Sequence, residues 1–170
     1  MTPRDRGLLA AAAALVLDQG SKLCLLHLFG FAQMRPGESV VIAPFFDLVM
    51  VWNPGISYGL FPADGMAGAL VRGLFSLVAI IGLGWWMWTA KRTALVVGLG
   101  LVIGGAVGNL IDRLIYGAVA DFFHFYAFGY DWYVFNVADV AITFGVIAIL
   151  YDALLGQEPH AEEPLSRSRE

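Results

Sequence analysis

The stretch "FNVADVAITFGVIAILY", residues 135–151, decides the fold. It is an almost unbroken apolar run long enough for most of a membrane-crossing helix, which needs about 20 such residues. Yet Asp139 sits near its start, with Asn136 one helical turn earlier. An acid placed against hydrocarbon costs about 3 kcal/mol or more, so it marks a functional position by default.

Three further runs have the same character. Spans are expected over Gly7–Leu26, Gly73–Ala90, Ala94–Leu114 and Phe135–Leu155. The chain of 170 residues is 59% apolar with a mean hydropathy of +0.72, well above an ordinary soluble domain. The fold class expected is mainly α, an integral membrane protein of four helices. A small β-rich loop domain should lie on the outward side between the first two helices. Residues 1–155 form the membrane domain, with outer loops at 27–72 and 115–134, and 156–170 reads as a disordered cytoplasmic tail. The first span should be retained, because "DQGSK" (18–22) is no small-residue cleavage site.

Orientation follows Lys and Arg. Arg4, Arg6, Lys91, Arg92, Arg167 and Arg169 fall on one side of an alternating four-span chain. That side is expected to be cytoplasmic, with both termini inside. In the 27–72 loop, "ESVVIAPFFDLVMVWN" has the β-branched and aromatic content of strands, divided by Pro44. "NPGISYGLFPADG" reads as a turn and a lid-like element. The 115–134 loop is crowded with aromatic rings, which favour the headgroup level. Gly100, Gly104 and Gly108 form a smooth helix face for close packing. No basic run suggests nucleic acid, and the single Cys24 excludes an internal disulfide or a CxxC site. Cys24 reads as a small apolar residue of the first span.

The polar residues of the spans gather at their outer ends. Asp18 and Lys22, four apart, read as an ion pair at a helix end, with Lys22 free to snorkel to the headgroups. Asn53 reads either as a turn residue or as a substrate contact. Asn109 and Asp112 share a face. Asp112 beside Arg113 reads as a structural salt bridge, and Arg113 suits a headgroup phosphate or a substrate carbonyl. His124 reads as an interfacial ring. Asp121 and Asp139 approach the outer surface from opposite helices. Two close carboxylates share one proton, so one can take a proton from water while the other donates to a carbonyl. This is aspartic peptidase chemistry. It requires no metal, thiol or serine, and neither G-x-S-x-G nor H-E-x-x-H occurs. A non-catalytic lipid- or lipoprotein-binding protein and a proton-coupled transporter are the rival readings. A transporter should carry acids deeper in its spans, whereas these cluster at one interface.

Four stretches carry a resemblance: "DQGSK" (18–22), "NPGISYG" (53–59), "GGAVGNLIDRLIYGAVADF" (104–122) and "FNVADVAI" (135–142). Their order and the four-span layout resemble bacterial lipoprotein signal peptidase, signal peptidase II, over about residues 5–155. The resemblance implies an endopeptidase of the bacterial inner membrane with no cofactor and an active site on the outer face. It would cut diacylglyceryl-modified prolipoproteins just before the lipidated Cys. It implies Asp121 and Asp139 as the catalytic pair. Asp18, Lys22, Asn53, Gly55, Gly108, Asn109, Asp112, Arg113, Asn136 and Ala138 would be supporting or substrate-binding positions. Membrane lipid and globomycin-like cyclic peptide inhibitors are the further partners implied. Ile56, Ser57 and Tyr58 depart from the Ala, Ala and Phe common in the family, which bears on lid packing and inhibitor affinity.

Overall fold

The computed structural model describes residues 1–35, 37–55 and 66–155. Four long helices carry the apolar runs: α1 (Pro3–Leu23), α2 (Met66–Thr89), α3 (Thr93–Tyr116) and α4 (Val137–Leu155). All four are long and apolar enough to cross a membrane. Helix α1 starts with Pro3 in its first turn and a capping box, in which Thr2 and Asp5 exchange hydrogen bonds between side chain and backbone. It runs on into one π-helical turn, Cys24–Leu28. Helix α2 begins at Met66, well before the expected Gly73, since nothing in "MAGALV" breaks a helix.

Helix α3 is the hub and packs against α1, α2 and α4. Its glycines explain how. A Cβ on Gly100 would strike the Gly7 carbonyl, and one on Gly104 would strike that of Ala11. On another face, a Cβ on Gly105 would lie 2.6 Å from the Ala138 oxygen, and Gly98 and Gly145 oppose each other backbone to backbone. Backbones this close gain dense van der Waals contact, the main attraction available between helices in lipid. Between these contacts, Val96, Leu99 and Met87 form a small buried core. Outward faces are apolar and exposed, as with Phe75, Trp85, Phe144 and Leu150.

The 115–134 segment departs from the expected loop. Residues Val119–Ala127 form a strand, β3, and Tyr130–Asp131 a short β4. They join β1 (Ser39–Ala43) and β2 (Phe46–Asn53) in one antiparallel sheet ordered β1-β2-β3-β4. The aromatic run thus sits in a sheet: Phe46 stacks on Phe125 and Phe125 on Phe135. Gly117, at φ 75°, ends α3 in the left-handed conformation and turns the chain into β3. Pro44 lies between β1 and β2, as its lack of an N–H requires. The lid-like element falls mostly at 56–65, and the tail at 156–170. Both lie outside the described residues.

Candidate active site

The site is assembled around the first turn of α4. A helix start leaves backbone N–H groups without intrahelical partners. Here the Asp139 N–H donates to Asn136 Oδ1 at 3.1 Å, and the Asn136 N–H donates to Asp139 Oδ2 at 3.1 Å. This reciprocal pair is a capping box made of Asn and Asp. The Ala138 N–H donates to Asp18 Oδ1 of α1 at 2.9 Å. Four residues that the sequence singled out thus share one local task.

Asn136 also reaches across to the sheet. Its Nδ2 donates to Asp121 Oδ1 at 2.6 Å, with Asn109 Oδ1 at 3.2 Å and the Ala120 carbonyl at 3.3 Å. Asp121, fully buried on β3, accepts a second bond on Oδ2 from Asn53 Nδ2 at 3.0 Å. Asn53 closes its own turn as well, accepting the Gly55 N–H at 2.8 Å. Asn53 thus fills its expected turn role and in addition touches Asp121. Asp139 accepts from Asn109 Nδ2 at 3.1 Å. One asparagine thus links the two carboxylates directly, and two more flank them.

Burial pushes the Asp121 carboxyl up from its ordinary value to about 6. The bond from Asn53 opposes this, the nearby charge of Asp139 adds to it, and Asn136 and Lys22 pull back. Asp139 is less enclosed. It lines a largely apolar cavity of about 290 Å³ with Trp132, Tyr133, Phe135, Val140, Thr143 and Phe144. One of the two acids therefore faces an apolar cavity.

Below this layer lies a buried ionic one. Lys22 does not snorkel: it is 2% exposed, and its Nζ lies 2.8 Å from both Asp18 Oδ2 and Asp112 Oδ2 and donates to Asn109 Oδ1 at 3.1 Å. Asp112 therefore pairs with Lys22 and not with Arg113, and its Oδ2 also accepts the Ala120 N–H at 3.1 Å. The physical reason is directional. Asp112 and Arg113 are adjacent and point to different sides of α3, whereas α1 brings Lys22 to face Asp112. Gly108 makes room, since a Cβ there would collide with the Asp18 carboxylate. Arg113 donates to the Asn109 carbonyl at 3.2 Å, and its buried Nε has no partner among the described residues.

Sequence reasoning passed over Gln19. Its Nε2 lies within reach of Asp18 Oδ2, Asp112 Oδ1 and the Gly108 carbonyl, at 3.1, 3.1 and 3.2 Å. An uncharged amide inside a span, next to Asp18, was the available signal. His124 is more than an interfacial ring: its Nδ1 lies 2.8 Å from Asp47 Oδ1 and its Nε2 3.6 Å from Asp131 Oδ1.

The arrangement has relatives. Residues 10–155 match the family described as Signal peptidase (SPase) II. A lipoprotein signal peptidase of Rhodopseudomonas palustris strain TIE-1 is 52% identical over 92% of this chain and 96% of its own. That of Nitrobacter hamburgensis is 49% identical over 96% of this chain and all of its own. Two solved structures, both described as bacterial membrane enzymes, superpose with TM-scores of 0.72 and 0.74. They are 28% and 27% identical, cover 89% of this chain, and are themselves covered to 92% and 94%. The chain therefore belongs to the signal peptidase II family of membrane-embedded aspartic peptidases.

Proposed function

We propose that this protein removes the signal peptide from diacylglyceryl-modified prolipoproteins, cutting before the lipidated Cys with Asp121 and Asp139 as the catalytic pair. The observation that carries the reading is the placement of Asn136, which donates to Asp121 from its side chain and to Asp139 from its backbone. Asp121, buried and with its carboxyl near 6, holds the shared proton and offers it to the scissile carbonyl. Asp139, at the cavity wall, takes a proton from the attacking water. The apolar cavity suits acyl chains or the apolar part of a signal peptide, which approach sideways through the bilayer. The sheet end of the molecule faces outward and the termini lie in the cytoplasm. Arg4, Arg6, Lys91 and Arg92 at the other end of the bundle support this. Residues 1–155 are the peptidase domain.

A cleavage assay in lipid-like detergent tests the reading, with a diacylglyceryl-modified prolipoprotein and its unlipidated form as substrates. Wild type should cut the lipidated form. Asp121→Asn and Asp139→Asn should stay folded and lose activity by on the order of 10²–10⁴-fold. Near-normal turnover by either variant removes that residue from the pair. A binding protein would retain its ligand through both changes.

A further inference from the structure

Two arginines meet beside the acids, and among the described residues neither takes part in an ion pair. Arg72 of α2 and Arg113 of α3 both close on Gly55. A Cβ there would lie 3.1 Å from Arg72 Cδ, 3.5 Å from its Nε and 3.6 Å from Arg113 Nη2. Gly55 holds φ 81°, a conformation suited to a residue without a side chain. Among the described residues, neither guanidinium has a carboxylate oxygen within 4.0 Å. Among the described residues, Arg113 bonds only to the Asn109 carbonyl and its Nε has no partner. The two cations repel each other, and each is half-buried. Such a pair is complementary to an oxyanion, which a guanidinium fork grips in two places.

The place of the pair in the site identifies the anion. Arg113 is bonded to Asn109, whose side chain donates to Asp139. Gly55 is bonded to Asn53, whose side chain donates to Asp121. The arginines therefore adjoin the supports of both acids. The substrate's ester and amide groups are neutral, but hydrolysis makes charge. Water adds to the scissile carbonyl carbon and the C–N bond breaks. The products are the signal peptide's new carboxylate and the lipidated fragment's ammonium, which carries the released proton. That carboxylate is formed next to two other acids, and a neighbouring cation offsets the repulsion.

We propose that Arg72 and Arg113 form the seat for the carboxylate that cleavage leaves at the C-terminus of the released signal peptide. The inference rests on the peptidase reading and adds a consequence: the enzyme is inhibited by its own product through that carboxylate.

The test uses the full-length enzyme and a synthetic signal peptide ending either in a free carboxylate or in a carboxamide. Each competes with a fluorescent signal peptide for the enzyme. Wild type should bind the acid about tenfold or more tightly than the amide, as expected for a charge-assisted bond. In Arg72→Gln the preference should collapse toward one. Arg72→Lys, which keeps the charge but loses the fork, should restore part of it. Equal binding of acid and amide by wild type overturns the proposal without any variant. An undiminished preference in Arg72→Gln removes Arg72 from the seat. Cleavage of the lipidated prolipoprotein by wild type is scored separately. Failure there sinks the peptidase reading, whereas the competition result stands or falls without any bond being cut.

Discussion

Lys22 of α1 and Asp112 of α3 are joined at 2.8 Å in a place where both are almost wholly buried. Asp18 sits at the same distance from the same Nζ. One cation thus serves two acids, and Gln19 donates to the same Asp18 oxygen as Lys22 and to the other oxygen of Asp112.

Removing the cation should be worse than removing an acid. Lys22→Met leaves two buried carboxylates facing each other, and breaking a buried pair costs about 3–5 kcal/mol. Thermal unfolding in detergent should show the largest loss for Lys22→Met. Lys22→Met combined with Asp112→Asn should recover part of it, because one uncompensated charge is gone. If the double variant is less stable than the single, the three groups are not coupled in this way.

Asn136 bonds to both acids, so its removal should act on their positions. Asn136→Ala should lower kcat by about 100-fold, the scale of a 1 Å misplacement, with a smaller change in KM. Steady-state kinetics on the lipidated substrate decides it. A change confined to KM would assign Asn136 to binding instead.

The raised carboxyl of Asp121 has a sign that can be read from pH. Its protonated form persists up to about pH 6 and is lost above that. If Asp121 supplies the proton, kcat/KM should fall as pH rises through about 6. A rise through the same range would reverse the two roles. Stability carries the same sign. The folded state holds this proton more tightly than the unfolded chain, so Asp121 costs stability as pH climbs from about 4 to about 6. Asp121→Asn should flatten that part of the stability profile, measured by unfolding at a series of pH values.

The glycines of α3 should be unequal to those of α2. Gly104→Ala drives a methyl into the Ala11 carbonyl and should cost about 1–3 kcal/mol. Gly82→Ala and Gly84→Ala meet nothing within 4 Å and gain helix propensity, so they should be neutral or slightly stabilising. Comparing unfolding midpoints of the three variants checks this. Equal losses would mean that the close approach of α1 and α3 is not what Gly104 provides.

Helices were legible because each apolar run has the length a bilayer demands, and β1 and β2 because of their β-branched residues on either side of Pro44. The third strand was not. "VADFFHFYA" lacks the alternation of a half-buried strand, and its partner β2 lies in a different loop. A strand whose hydrogen bonds are non-local leaves little trace in its own residues. The same limit governed Lys22. Its i,i+4 relation to Asp18 was visible, but the facing carboxylate comes from another helix, and only packing shows that the pair is sealed from water. Asp121 and Asp139 stood out because acids are costly in such surroundings. Gln19 drew no notice because an amide costs less than a charge.

The weave of the sheet has a consequence for how the molecule comes into being. Strands β1 and β2 leave the ribosome early, β3 much later, and the helix bearing Asp139 and capped by Asn136 last of all. A nascent chain that has inserted three helices already holds Asp121 but neither its partner acid nor the asparagine that links them. If the two acids are the catalytic pair as proposed, proteolytic capacity should be absent through most of biogenesis and appear in one step when the final helix docks. On that reading the membrane should meet no half-made protease along the way.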